Sequence, residues 1–225
     1  MEKEISGTEI KLFQQWLLAW FEGNRRFFAW REAHLSNYQL IISEVLLQRT
    51  KAETVAGFYE RFILTYPSWH SIAAANVEEL ALVLKPVGLY NQRAKRLSAL
   101  AKHMIEINGE IPEERELLNK IPFMGQYIAN AVELLIHKRQ KPLIDVNMAR
   151  VLERYFGPRE KADIRYDRYL QALAHQVVKH KNSKEISWAI LDFAAIVCQA
   201  RKPKCSLCSL SVTCKFFNNY NIPYI

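Results

Sequence analysis

Apolar residues recur at three- and four-residue intervals along nearly the whole chain, and that rhythm restricts it to helices. Ile10, Phe13, Leu17 and Trp20 fall at i, i+3, i+7 and i+10, one buried stripe. Leu40 to Gln48 reads as a nearly all-apolar helix, interrupted by Ser43, Glu44 and Gln48. Helical patterns continue over 52–65, 77–84, 92–107 and 113–120, punctuated by Pro67, by Pro86-Val87-Gly88 and by Gly109 to Pro112. Ile128, Val132 and Leu135 define a helix after the turn at Pro122–Gly125, and 146–155, roughly 166–180 and 185–197 complete the series. Seven glycines and few alternating β-branched runs give no basis for a β fold. About ten short helices on tight connections predict an all-α protein.

The charge balance bears on partners. Thirty-one Lys and Arg oppose 23 Asp and Glu, a formal +8 that suits a polyanion without requiring one. The N-terminal MEKEISGTEIKLFQQW lacks the basic-then-apolar layout of a secretion signal, and no apolar run reaches membrane-spanning length. A soluble, intracellular, cytoplasmic protein is expected.

All four cysteines, Cys198, Cys205, Cys208 and Cys214, lie in the last 28 residues, spaced C-x6-C-x2-C-x5-C. This tail of about thirty residues is too short for a core of its own without a metal staple. A reduced intracellular chain does not normally hold disulfides, so the clustering points to metal. Thiolates suit zinc or an iron–sulfur cluster. Structural zinc usually takes two close pairs, whereas only Cys205 and Cys208 form one here. Lys202, Lys204 and Lys215 flank the loop, either facing phosphates or solvating it.

Three more segments carry chemistry. Ile121-Pro122-Phe123-Met124-Gly125-Gln126-Tyr127 joins two helical patterns, and a turn presenting backbone N–H groups at a helix N-terminus can bind a phosphate oxygen. Asp145 precedes the helical run from Val146, so its local role is a helix N-cap. Glu44 sits in an apolar stretch, where a carboxylate is costly unless it is paired, for instance with Arg31, or functional. Taken alone, Gln48 and Leu89 read as a surface residue and a turn residue.

Together these segments resemble one family. CQARKPKCSLCSLSVTC is similar to the cluster loop of the endonuclease III superfamily of helix-hairpin-helix DNA glycosylases, which holds a 4Fe–4S cluster. IPFMGQY is similar to the second half of its hairpin, usually L-P-G-V-G, with Pro122 and Gly125 kept. Phe123 and Met124 replace the first glycine and the valine, which sets the usual turn geometry in question. LIDVNMARV resembles the segment bearing the essential aspartate, and the likeness runs over roughly residues 26–216.

The resemblance implies roles. Asp145 would stabilise the oxocarbenium-like sugar as the C1′–N bond breaks, and could also orient a water. Tyr127 stands where lyase-type members have lysine, and a phenol offers no amine for a Schiff base, so a monofunctional enzyme is implied. Lys120, before the turn, reads as a solvated charge. Glu44 matches a glutamate of the MutY-type adenine and the thymine/uracil mismatch glycosylases, which protonates the leaving base or holds the water. Gln48 and Leu89 match residues that fill the duplex gap after base flipping, while Pro122, Gly125 and Gln126 belong to the DNA-binding hairpin.

GLYNQRA and VLERYFG look like the mismatch thymine branch. The expected substrate is therefore T or U opposite G in double-stranded DNA. An adenine glycosylase is the rival, and a non-catalytic DNA-binding module with structural zinc the second alternative. Two lobes are implied, 27–140 with the hairpin and 1–26 plus 141–225 with the cluster. Glu44 and Tyr127 would face Asp145 between them, in a monomer associated with the nucleoid.

Overall fold

The computed structural model describes residues 6–219. Its helices are α1 (Gly7–Asn24), α2 (Asn37–Leu47), α3 (Ala52–Thr65), α4 (Trp69–Ala74), α5 (Val77–Leu84) and α6 (Tyr90–Glu106). They continue as α7 (Arg115–Leu118), α8 (Gln126–Leu135), α9 (Val146–Phe156), α10 (Arg168–Val178), α11 (Ser183–Ile196) and α12 (Lys215–Asn219). Short 3₁₀ turns join some of them, and no strand is present among the described residues. The all-α expectation holds. No described helix is long and apolar enough to cross a membrane.

The chain divides into two compact units, Phe27–His137 and Met1–Arg26 with Lys138–Ile225. In the first, α6 packs on α4 and α5, and α2 on α3 and α8. Ile42 and Leu46 of α2, Phe62 of α3, Ile72 of α4, Leu80 of α5, Leu97 of α6 and Ile128 of α8 meet in its core. Each such side chain contributes on the order of 1.5–3 kcal/mol by leaving water. Local chemistry sets the helix ends. Ser36 and Gln39 form a reciprocal capping box that starts α2. Asn108 and Gly109, both at positive φ, end α6. Arg115 ties α7 to α8 through Asn130 Oδ1 at 2.7 Å and a close ion pair with Glu133.

In the second unit α11 packs on α1 and α9, and α12 returns to α9. Phe13 of α1 lies against Tyr155 and Phe156 of α9, ring centroids 4.8 and 5.2 Å away. Where the chain leaves α1, Arg26 Nε donates to the fully buried Asp192 carboxylate at 2.7 Å. Gln14 reaches across to the Val177 carbonyl at 2.8 Å, so the N-terminal helix is locked to residues 163 positions away.

Two expectations need correction. The segment after Pro67 contains α4, whose six residues span too little sequence to show a period. The pattern over 113–120 yields only the single turn of α7, because Arg115 and Leu118 are fixed by side-chain contacts to α8 and the core rather than by a long stripe.

Candidate nucleic-acid interface and cysteine site

The end of α2 and the start of α6 are held by one side chain. Arg93 is 3% exposed. Its Nη1 donates to the Val45 and Leu46 carbonyls, the latter at 3.1 Å. Its Nη2 donates to the Gln48 carbonyl at 3.0 Å and to Thr50 Oγ1 at 3.1 Å. A guanidinium at a helix C-terminus satisfies the carbonyls that the helix leaves open and complements its dipole. Thr50 Oγ1 also donates to the Val87 carbonyl at 2.9 Å, so the loop before α6 is drawn onto the same knot. Gln48 is the C-cap of α2, and Arg49 after it turns left-handed at φ 57°. Leu89, at φ 50°, opens α6 and leaves 50% of its side chain exposed. Gln48 and Leu89 thereby line a common cavity. Glu44 lies one turn before Gln48, only 5% exposed, on the helix that packs against α8.

At the hairpin, Ile121 and Met124 are buried, and the Met124 N–H donates back to the Ile121 carbonyl at 3.1 Å. Phe123 adopts φ 74°. The turn keeps the backbone shape that a glycine would take there, at a cost of roughly 1–2 kcal/mol for a side chain in the left-handed region. Gly125 is the N-cap of α8 at φ −64°, with no side-chain cap, and a Cβ there would meet nothing within 4 Å. Nothing within the protein therefore demands glycine at 125. Pro122, Gln126 and Tyr127 are partly exposed around this helix N-terminus, and Lys120 is exposed.

Asp145 caps α9. Its Oδ1 accepts from the Asn147 and Met148 backbone N–H groups at 2.9 and 2.8 Å, and its Oδ2 accepts from Asn147 Nδ2 at 2.6 Å. The carboxylate is fixed in place by three donors, while Val146 beside it is exposed. Burial pushes its pKa above the ordinary carboxylate value, against the pull of those hydrogen bonds and of Arg150. Asn147 is itself held by Arg150 Nη2, at 3.1 Å. Sequence reasoning identified Asp145 but not Asn147 or Arg150 as its supports. Glu44, Gln48, Leu89 and Tyr127 belong to the Phe27–His137 unit, and Asp145 with the cysteines to the other.

The same helix α9 carries the cysteine loop. Arg150 Nε donates to the Cys198 carbonyl at 2.9 Å, and Arg154 donates to the Gln199 and Ala200 carbonyls at 2.8 and 3.0 Å. Arg154 Nη1 lies 3.4 Å from Cys198 Sγ. Lys215 Nζ donates to the Phe156 carbonyl at 2.9 Å, so this lysine closes the end of α9 instead of facing outward. None of the four cysteines is in a disulfide, and all four line one cavity with Phe13, Tyr155 and Phe193. Burial pushes Cys208 up to about 11, against a hydrogen bond from the Leu210 N–H, with the neighbouring Cys214, Cys198 and Cys205 sulfurs adding to the rise. Thiols so disposed resist ionisation unless a cation neutralises them.

Among the described residues no three His, Cys, Asp or Glu side chains are grouped as around a single metal ion. A mononuclear zinc would need four sulfurs about 2.3 Å from one point. A 4Fe–4S cluster binds one thiolate at each of its irons, so its anchors surround a volume. Four thiols around one cavity supply the donor chemistry that a zinc ion or such a cluster takes.

The HhH-GPD superfamily base excision DNA repair protein family matches residues 42–176, and the chain belongs to this superfamily. A thymine/uracil-DNA glycosylase of Methanothermobacter thermautotrophicus is 33% identical over 216 residues, covering 95% of this chain and 97% of that protein. One from Pyrobaculum aerophilum is 34% identical over 210 residues, covering 91% of each. The solved structure of a thermostable thymine-DNA glycosylase superposes with a TM-score of 0.86 at 32% identity, covering 94% of this chain and 98% of that one.

Proposed function

We propose that the protein is a monofunctional DNA N-glycosylase that removes T or U opposite G from double-stranded DNA. The carrying observation is the Asp145 carboxylate, fixed by three hydrogen bonds at the head of α9 with its pKa raised by burial. When the C1′–N bond breaks, its electron pair leaves with the base and positive charge grows on the sugar. An immobile carboxylate in a partly desolvated setting stabilises that charge without having to reorganise, and a water then adds at C1′. Glu44 supplies a proton to the departing base or holds that water. Tyr127 offers no amine, so the product is an abasic site in an unbroken strand. Gln48 and Leu89 fill the space left by the extruded nucleotide, and Pro122, Gly125 and Gln126 present the α8 N-terminus to a phosphate. The choice of T or U rests on the likeness, over nearly the whole chain, to the thymine/uracil-DNA glycosylases of Methanothermobacter thermautotrophicus and Pyrobaculum aerophilum. Cys198, Cys205, Cys208 and Cys214 hold a 4Fe–4S cluster, which when bound supplies the staple for the short tail and a fixed local charge.

One panel of end-labelled duplexes tests this reading: T·G, U·G, A·G, A opposite 8-oxoguanine, and a matched control. Each reaction is split between hot alkali and no treatment. Breaks at T and U after alkali alone are expected. Excision of adenine alone would move the assignment to the rival activity, and breaks without alkali would refute the monofunctional assignment.

A further inference from the structure

A cavity of about 230 Å³ opens in the Phe27–His137 unit, lined by Gln48, Arg49, Leu89, Gln92, Arg96 and Phe123 together with the buried Arg93. Its lining is cationic, with no carboxylate among the residues around it. Of the five non-glycine residues at positive φ among the described residues, Arg49, Leu89 and Phe123 stand around this one cavity. Backbone strain gathered at one place marks a surface whose shape is maintained against local preference. Phe123 is the most costly of the three, because a bulky side chain is an outlier in this region.

A glycine at 123 would relieve that strain. Phe123 is half-buried and packs against the core of this unit. Its other contact is chemical: the Arg96 guanidinium lies 5.5 Å from the ring centroid, in cation–π range. The cavity thus combines an aromatic face, two exposed guanidinium groups at Arg49 and Arg96, and the amides of Gln48 and Gln92. These are the elements that hold one nucleotide, with a planar base or sugar on the ring and a phosphate on the guanidinium groups.

We propose that Phe123, backed by Arg96, is a further DNA-binding residue: the cavity takes one nucleotide of the duplex beside the extruded one. Its base or sugar lies on Phe123 and its phosphate on Arg49 and Arg96. The inference rests on the glycosylase reading, which assigns Gln48 and Leu89 to the duplex gap. It extends that reading by turning the hairpin from a backbone-only contact into one that senses the flanking nucleotide.

The test measures binding by fluorescence anisotropy. The probe is a labelled T·G duplex whose target thymidine carries a 2′-fluorine to slow excision. Wild type, Phe123→Gly, Phe123→Asn and Arg96→Gln are compared over a salt series, with a melting curve for each. Each Phe123 variant exchanges the strain of positive φ for the ring's packing on the core, so both should stay folded and melt within several degrees of wild type. They should bind roughly five- to a hundredfold more weakly, the range of one base–aromatic stacking contact. Arg96→Gln should reduce the slope of log K against log salt by about 0.9, one phosphate's worth. Folded Phe123 variants that bind as tightly as wild type would overturn the proposal; should the glycine variant fail to fold, the asparagine variant decides. Wild-type protein that binds this duplex but excises neither T nor U from the unmodified one would remove the T or U glycosylase reading. The comparison of Phe123 variants would still decide the contact.

Discussion

Replacing Arg93 with methionine tests how the interface is held. The substitution keeps most of the aliphatic stem and removes the guanidinium, leaving the Val45, Leu46 and Gln48 carbonyls and Thr50 Oγ1 without their donor. Each buried acceptor left unsatisfied costs about 1–3 kcal/mol. Part of the loss is offset, because a buried guanidinium carries a desolvation penalty of several kcal/mol. The same burial lowers the Arg93 pKa from its ordinary value. Gln48 lines the open cavity, so its carbonyl can recover water, whereas Val45 and Leu46 are fully buried. A net loss of about 3–5 kcal/mol results, as for removing one member of a buried charged network. For a chain of this size that corresponds to a fall in Tm of roughly 6–20 °C. Arg93→Lys, with a point charge in place of a five-donor fork, should fall between. Hydrogen exchange should accelerate at residues 46–50 and 87–90, the two segments the guanidinium joins. A Tm within about 2 °C of wild type for Arg93→Met, with exchange unchanged in both segments, would refute the account.

Three other perturbations address the chemistry. Asp145→Asn keeps a good N-cap but removes the charge, so single-turnover excision should fall by about a hundred- to a thousandfold while DNA binding persists. Because burial raises the Asp145 pKa, wild-type excision should decline with falling pH above the ordinary carboxylate range, and the ionised group should cost the fold stability. The variant's stability advantage should be absent below the ordinary carboxylate pKa, grow as pH rises through the raised value, and then level off; a lower Tm at neutral pH would contradict this. Tyr127→Lys should yield a protein–DNA adduct trapped by borohydride, and its absence with excision intact would show that position 127 does not reach C1′. Protein purified without oxygen should carry about four irons per chain and lose its visible absorbance, with a lowered Tm, in Cys208→Ser; zinc in place of iron would refute the cluster assignment.

How much of this was legible in the sequence depended on the length scale of each signal. Helices such as α2, α6 and α9 repeat their apolar stripe over three or more turns, and Pro86-Val87-Gly88 marks the start of α6 because only a break in hydrogen bonding fits there. α4 was not legible, since six residues after a serine N-cap show no period. That Asp145 caps α9 was legible because the helical run starts beside it, and the cysteines' gathering at one cavity because they cluster in sequence. Arg93 was not, although a signal existed: positions 93, 97, 100 and 104 share the buried stripe of α6, and a cation on that stripe needs partners. Those partners lie more than forty residues away for Val45 and Leu46, which one-dimensional reading does not connect. Phe123 was flagged as a departure from glycine, but only the structure reveals that its backbone keeps the glycine-like angle.

Gly125 leads to a different kind of expectation. It sits at an ordinary φ, with empty space where a side chain would grow. Alanine would fit and would restrict the unfolded chain, a small gain for folding. A mutational survey scored by folded yield would therefore record position 125 as permissive, while one scored by repair of mispairs would record it as forbidden. Residues on which two such surveys disagree would trace the footprint of the nucleic acid on the protein.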